Sequence, residues 1–221
     1  MKELIKLMLL IGAVFALIFI IVKFSGLLSM EQIESWLVLA KEASPLHVAF
    51  IVATLLIFDL FLSVPTMPLT MLAGYFLGHI YGASAVLFGL LIAGMLGYFI
   101  SRYFGVTILN LLVKTPEKRN EVITTFNKHG FIMIILARAV PMLPEVTACL
   151  AGITRMPFLK FLLAWSISAV PYTLIVAYSG SISSLHDPSP IFITAIGVWC
   201  SLWLGWFLFQ RSNRVKARLK K

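Results

Sequence analysis

Residues 137–152 read ARAVPMLPEVTACLAG. They lie in a chain of 221 residues that is 60% hydrophobic and only 12% charged. Yet the stretch holds an arginine, a glutamate and two prolines three positions apart. Proline removes a backbone donor and clashes with the preceding helical turn. A charge at the centre of a membrane helix costs about 2.5–3.5 kcal/mol even on insertion scales. What makes all four tolerable together decides the fold.

Ten residues separate Gly130 from Pro141, roughly 15 Å of helix and about half the hydrocarbon thickness. Beyond the prolines the chain resumes near Val146 and reaches Gly152 after an equally short arm. A re-entrant hairpin fits these lengths. Broken backbone at membrane depth is tolerated only where protein shields it or a wet cavity adjoins it. An earlier stretch follows the same plan: SVPTMPLTMLAG, residues 63–74. Both stretches contain V-P-x-x-P and then an Ala-Gly pair, Ala73-Gly74 and Ala151-Gly152. Both precede an apolar helix that ends in a tyrosine two residues before a glycine, Tyr103/Gly105 and Tyr178/Gly180.

The pattern predicts a first helical hairpin over residues 46–78 and a spanning helix over 79–104. Gly82, Gly89, Gly94 and Gly97 on that helix admit a close neighbour. Pro65, Pro68, Pro141 and Pro144 are expected to set the hairpin tips, with Gly74 and Gly152 letting the chain return. Further spans are expected at Leu7–Val22, within Phe161–Leu185 and at Pro190–Gln210. The N-terminal run has no small-residue cleavage site and reads as a retained span. Ser29-Met-Glu-Gln has a capping-box pattern and opens an amphipathic, interfacial stretch with Ile33, Trp36, Leu37 and Ala40 on one side. Residues 106–128 read as a solvated connector.

The net charge of +9 does not point to nucleic acid. Arg211, Arg214, Lys216, Arg218, Lys220 and Lys221 follow an apolar run directly, as a cytoplasmic flank near anionic headgroups does. With that tail inside, Lys114, Lys118, Arg119, Lys128, Arg155 and Lys160 are also inside. Residues 23–45, with no positive excess, fall outside, and the N-terminus is inside. The two hairpins then enter from opposite faces, an inverted-topology repeat. The expected class is an all-α integral membrane protein with two re-entrant hairpins and about four spans. Residues 1–44, 45–180 and 181–221 form its N-terminal, repeat and C-terminal parts.

On the stretches YFLGHIYGASAVLFGLLIAGMLGYFISRYFG (75–105) and ARAVPMLPEVTACLAGITRMPFLKF (137–161), the chain resembles the DedA superfamily, in particular its VTT-domain branch of SNARE-associated Golgi proteins. The resemblance covers roughly residues 45–180. It implies two re-entrant hairpins meeting head to head and movement of lipids between leaflets. Arg138 matches an important arginine of the second loop, and Asp59 lies near the position of an acidic residue in the first hairpin. The DedA branch usually carries a second arginine where this chain has Pro144. It often has an acidic residue after the first-loop proline, where this chain has Leu69 and Thr70. These departures favour the VTT branch.

Arg138 is the first candidate for contact with an anionic headgroup, because a guanidinium can grip phosphate bidentately. The plainer reading is an arginine that pairs with Glu145 to lock the loop. Glu145 and Asp59 are candidates for tuning that charge, against readings as a loop cap and a helix-end residue. Arg155 and Arg102 are weaker candidates, since arginines at inner helix ends commonly snorkel as anchors. The Trp199, Trp203 and Trp206 run reads as packing or interfacial belt. His47, His79, His129 and His186 lack metal-ligand spacing, and Cys149 and Cys200 suggest no disulfide. No hydrolase, zinc-protease or P-loop pattern is present, so neither an enzyme nor a cofactor is expected.

The leading expectation is a transporter, flippase or scramblase-like, of an anionic phosphate-headed lipid in a bacterial cell membrane. Alternatives are a proton-coupled carrier of a small solute or ion and a non-transporting membrane organiser. A homo-oligomer remains open.

Overall fold

A computed structural model of the chain describes residues 2–24, 35, 38–39, 44–59, 65–113, 115–140, 142–183 and 197. Among these residues the structure is helical throughout. The elements are α1 (Lys2–Phe24), α2 (Pro45–Ile57), α3 (Thr66–Leu77), α4 (His79–Leu112), α5 (Pro116–Leu136), a 3-10 turn (Ala137–Ala139), α6 (Leu143–Ile153) and α7 (Phe158–Ile182). Two helices are long and apolar enough to cross a membrane, His79–Gly105 within α4 and Phe158–Ile182. The interfacial stretch near 29–42, Pro141, the expected last span and the basic tail lie outside the described residues, apart from scattered positions.

Each break has a local cause. Pro45 opens α2 at a position whose N–H has no intrahelical partner. Pro65 precedes α3 in extended backbone and Pro144 lies in the first turn of α6. The chain reverses between α3 and α4 at Gly78, where φ is +80° and nothing crowds a Cβ. Glycine is needed there for its backbone freedom rather than for space. With 12 and 11 residues, α3 and α6 are roughly 16–18 Å long.

Two expectations are corrected. Residues 106–128 are not a solvated connector: α4 continues to Leu112, and α5 begins at Pro116 and runs unbroken for 21 residues. Val122, Phe126, Gly130 and Ile134 recur every fourth residue and are all buried. This stripe packs against the core while Glu117, Lys118 and Glu121 stay exposed. The arm into the second break therefore does not start at Gly130, which is packed inside α5. Gly74 and Gly152 are likewise not at tips; they lie within α3 and α6.

Their role is close helix crossing. A Cβ on Gly74 would meet the Ala177 carbonyl oxygen of α7 at 2.0 Å, and one on Gly180 would meet that of Met71 on α3 at 2.0 Å. The second crossing has the same form. A Cβ on Gly152 would lie 2.2 Å from the Tyr98 oxygen of α4, and one on Gly105 would lie 2.6 Å from Ile153 of α6. Each short helix thus packs on the long helix of the other sequence stretch. The four glycines involved are the ones the repeated pattern singled out.

The larger core gathers Tyr98, Phe161, Trp165, Phe126 and Ile134 with most of α6, and Leu4 and Leu7 of α1 pack against it. Tyr98 stacks on Phe161 with ring centres 4.8 Å apart, and its hydroxyl donates to the Met156 carbonyl. A smaller core joins α2, α3 and the first half of α4.

Candidate functional site

The break in 137–152 is where charge enters this apolar frame. The 3-10 turn Ala137–Ala139 ends α5 and carries Arg138, and α6 starts at Leu143 with Glu145 in its first turn. A cation at a helix C-terminus and an anion at an N-terminus both complement the helix dipole. Met142 bridges the two with φ 64°, a left-handed conformation that costs a non-glycine residue about 1–2 kcal/mol.

Arg138, Glu145 and Asp59 line one small cavity, closed by Leu90, Ala93 and Gly94 of α4, Pro144 and Ala148 of α6, and Trp165 of α7. Leu90–Gly94 lie near the middle of the apolar stretch His79–Gly105. Asp59, just past the end of α2, is 3% exposed and accepts a hydrogen bond from the Thr66 hydroxyl at 3.3 Å. Sequence positions 59, 138 and 145 come from the two separate breaks, and the fold brings them together.

Arg138 is held by aromatic faces. Its guanidinium carbon lies 4.9 Å from the centre of the Tyr172 ring and 5.5 Å from that of Trp165. Such contacts are worth about 2 kcal/mol when desolvated. Trp165 is itself fixed: its indole N–H donates to the Leu90 carbonyl at 3.0 Å. Its ring also packs so closely on Gly94 that a Cβ there would lie at 2.5 Å. The buried Nε and Nη2 of Arg138 and the buried Oε2 of Glu145 have no hydrogen-bond partner. Arg138 and Glu145 are therefore not a bidentate pair, although each lies in the other's field. Buried charged atoms without partners are rare and point to a ligand, an ion or water.

The cavity has about 10 Å³ of room for water, enough for roughly one molecule. A phosphate group needs more room than this.

Arg102 and Arg155 are elsewhere. Arg102 is exposed and donates to the Tyr98 hydroxyl at 2.6 Å. Arg155 is exposed at the far end of α6 with φ 54°. Trp165 and Tyr172 did not stand out in the sequence. Their seven-residue spacing puts them two turns apart on one helix face, but nothing in that spacing says that the face meets Arg138.

A family model, the VTT domain, matches residues 64–182, more than half of the chain. It includes Arg138, Glu145, Trp165 and Tyr172 and leaves out Asp59. Among curated proteins, undecaprenyl phosphate transporter A of Bacillus subtilis (strain 168) is 31% identical over 105 residues. The match covers 42% of this chain and 52% of that protein, so the chain spans about half the length of this relative. No solved structure matches the chain.

Proposed function

Because this chain belongs to the VTT domain family, we propose that it is an integral membrane protein that carries an anionic, phosphate-headed lipid between leaflets. The observation that carries the reading is the buried edge of Arg138, whose Nε and Nη2 lack acceptors beside the bare Oε2 of Glu145. Two parallel N–H groups fit two phosphate oxygens. Trp165 and Tyr172 hold the guanidinium by its faces and leave that edge for a ligand. The name of the relative, a transporter of a polyprenyl phosphate, agrees with this chemistry.

The reciprocal glycine crossings support an inverted repeat with opposed hairpins, α2–α3 and α5–α6, whose breaks meet at the cavity. The headgroup enters when the breaks separate, since the closed cavity holds only about one water. The lipid tail stays in the bilayer while the headgroup passes. The test is leaflet exchange of a fluorescent polyprenyl or phospholipid phosphate in proteoliposomes. Rates above protein-free vesicles that vanish in Arg138→Gln support the proposal. Rates equal to protein-free vesicles for both lipid classes sink it.

A second reading is favoured by the two carboxylates, Asp59 and Glu145, beside one cation: a proton-coupled carrier of a small solute. Solute uptake that follows an imposed proton gradient, with no lipid movement, would select it.

A further inference from the structure

Helix α7 carries a proline in its interior, Pro171. Proline has no N–H to donate, so the Ile167 carbonyl lacks the donor at position 171 that would close its helical turn. The helix nevertheless runs on to Ile182. The Pro171 side chain is exposed, so core packing does not call for a proline there. Sharp bends in long helices occur at such positions, and the neighbours of α7 change at this one.

The residues of α7 buried in the larger core, Phe161, Ala164, Trp165 and Ala169, all precede Pro171. On that side the Ser168 hydroxyl donates to the Ile135 carbonyl of α5 at 3.2 Å. Beyond the proline the neighbour is α3. Ala177 and Gly180 make the close crossing with Gly74 and Met71, and the Tyr172 side chain interacts with Thr70. The first half of α7 is thus tied to the second break through α5, and the second half to the first hairpin through α3. Helix α4 runs along both halves, with Tyr98 on Phe161 and His79 on Tyr178. It is the shared axis about which they can turn.

Arg138 straddles this division. Of the two rings that hold its guanidinium, Trp165 at 5.5 Å lies before the proline and Tyr172 at 4.9 Å directly after it. We propose that Pro171 is a hinge and a positioning residue for the central site. Bending there moves Tyr172 and α3 away from Trp165 and α5, and so widens the cavity beside the unpartnered edge of Arg138 for a phosphate headgroup. The present room of about 10 Å³ takes about one water, so a headgroup requires a motion of this kind. This role rests on the lipid-carrier reading and locates the point at which the helix frame gives way.

The test compares the full-length wild type with Pro171→Ala and Pro171→Gly. Alanine restores the hydrogen bond to Ile167 and straightens the helix without loss of packing, so this variant should melt at or above the wild-type temperature. The first readout is amide hydrogen exchange at Val140, Leu143 and Val146, which are hydrogen-bonded within the second break and remote from Pro171 in sequence. Exchange there should slow about tenfold in Pro171→Ala, while the amides around Phe126 in α5 stay as they were. The second readout is leaflet exchange of a fluorescent polyprenyl phosphate in proteoliposomes, which should also slow about tenfold. Glycine restores the N–H but keeps the backbone soft, so Pro171→Gly should lie closer to wild type in both. The hinge is overturned if hydrogen exchange in the second break is unchanged in Pro171→Ala, or if it slows equally around Phe126. It is overturned too if Pro171→Ala moves lipid as fast as a wild type that moves it. A wild type that moves no lipid sinks the lipid-carrier reading alone, because selectively slower hydrogen exchange in Pro171→Ala still supports the hinge.

Discussion

Gly152→Ala tests the packing on which the candidate site depends. The added Cβ would sit 2.2 Å from the Tyr98 carbonyl oxygen and 2.8 Å from the Arg102 nitrogen, both backbone atoms of α4. No rotamer relieves a clash with backbone. Ordinary contact begins at 3.4 Å, so α4 and α6 must part by about 1.2 Å along that line. Overpacking of this kind costs about 1–3 kcal/mol, and the rigid partners place it at the upper end. Alanine regains up to about 1 kcal/mol of helix propensity. The net loss is about 2 kcal/mol, a fall in Tm of about 4–8 °C for a chain of this size. The assay is thermal unfolding of purified protein in detergent, with Gly12→Ala as comparator. A Cβ on Gly12 meets only Val146 at 3.9 Å, so that variant should melt at or above the wild-type temperature. A Gly152→Ala protein that melts within a degree of wild type would refute the argument that this glycine is a crossing residue.

Gly74→Ala and Gly180→Ala, which put a Cβ 2.0 Å from the carbonyls of Ala177 and Met71, should lower Tm by a similar amount in the same melts. Together they should cost less than the sum of the singles, since both open one crossing. Gly94→Ala pushes a Cβ to 2.5 Å from the Trp165 ring and should slow leaflet exchange by displacing the ring that holds Arg138; an unchanged rate would remove Trp165 from the mechanism. Arg138→Lys keeps the charge but loses the planar face and fork, and exchange should fall by about tenfold or more in the proteoliposome assay. Tyr98→Phe removes one donor to the Met156 carbonyl, which Arg102 Nη1 also reaches at 3.4 Å, and should destabilise by about 0.5–1.5 kcal/mol, measured as a lower Tm.

Much of this architecture is legible in the chain. The end of α2 at Ile57, the start of α3 at Thr66 and the turn from α5 into α6 follow from prolines and from the lengths between them. The long apolar helices at 79–105 and 158–182 follow from composition. The meeting of Arg138, Glu145 and Asp59 at one cavity matches what the family resemblance implies, hairpins that meet head to head; the repeated pattern alone does not require it. The charge density of residues 106–128 suggests a connector, yet the segment is helical. The four-residue stripe Val122, Phe126, Gly130, Ile134 was available in the sequence and marks a helix. The glycines of the Ala-Gly pairs were singled out for the wrong reason: a glycine near a proline looks like a turn, and only a neighbour's backbone at 2 Å shows that it is a contact.

By itself the sequence determined the helical class, the two places where helices break and the residues that carry charge there. These depend on local quantities: how many apolar residues lie between breaks, where a backbone donor is missing, and which charges lack a polar setting. Tertiary structure decided what surrounds those charges. It set Arg138 between the rings of Trp165 and Tyr172 beside Glu145, left the cavity room for about one water, and gave Arg119 and Arg155 a larger one. These are properties of helix crossings between distant segments, fixed by which faces approach to within a glycine's width, and no local pattern specifies that distance.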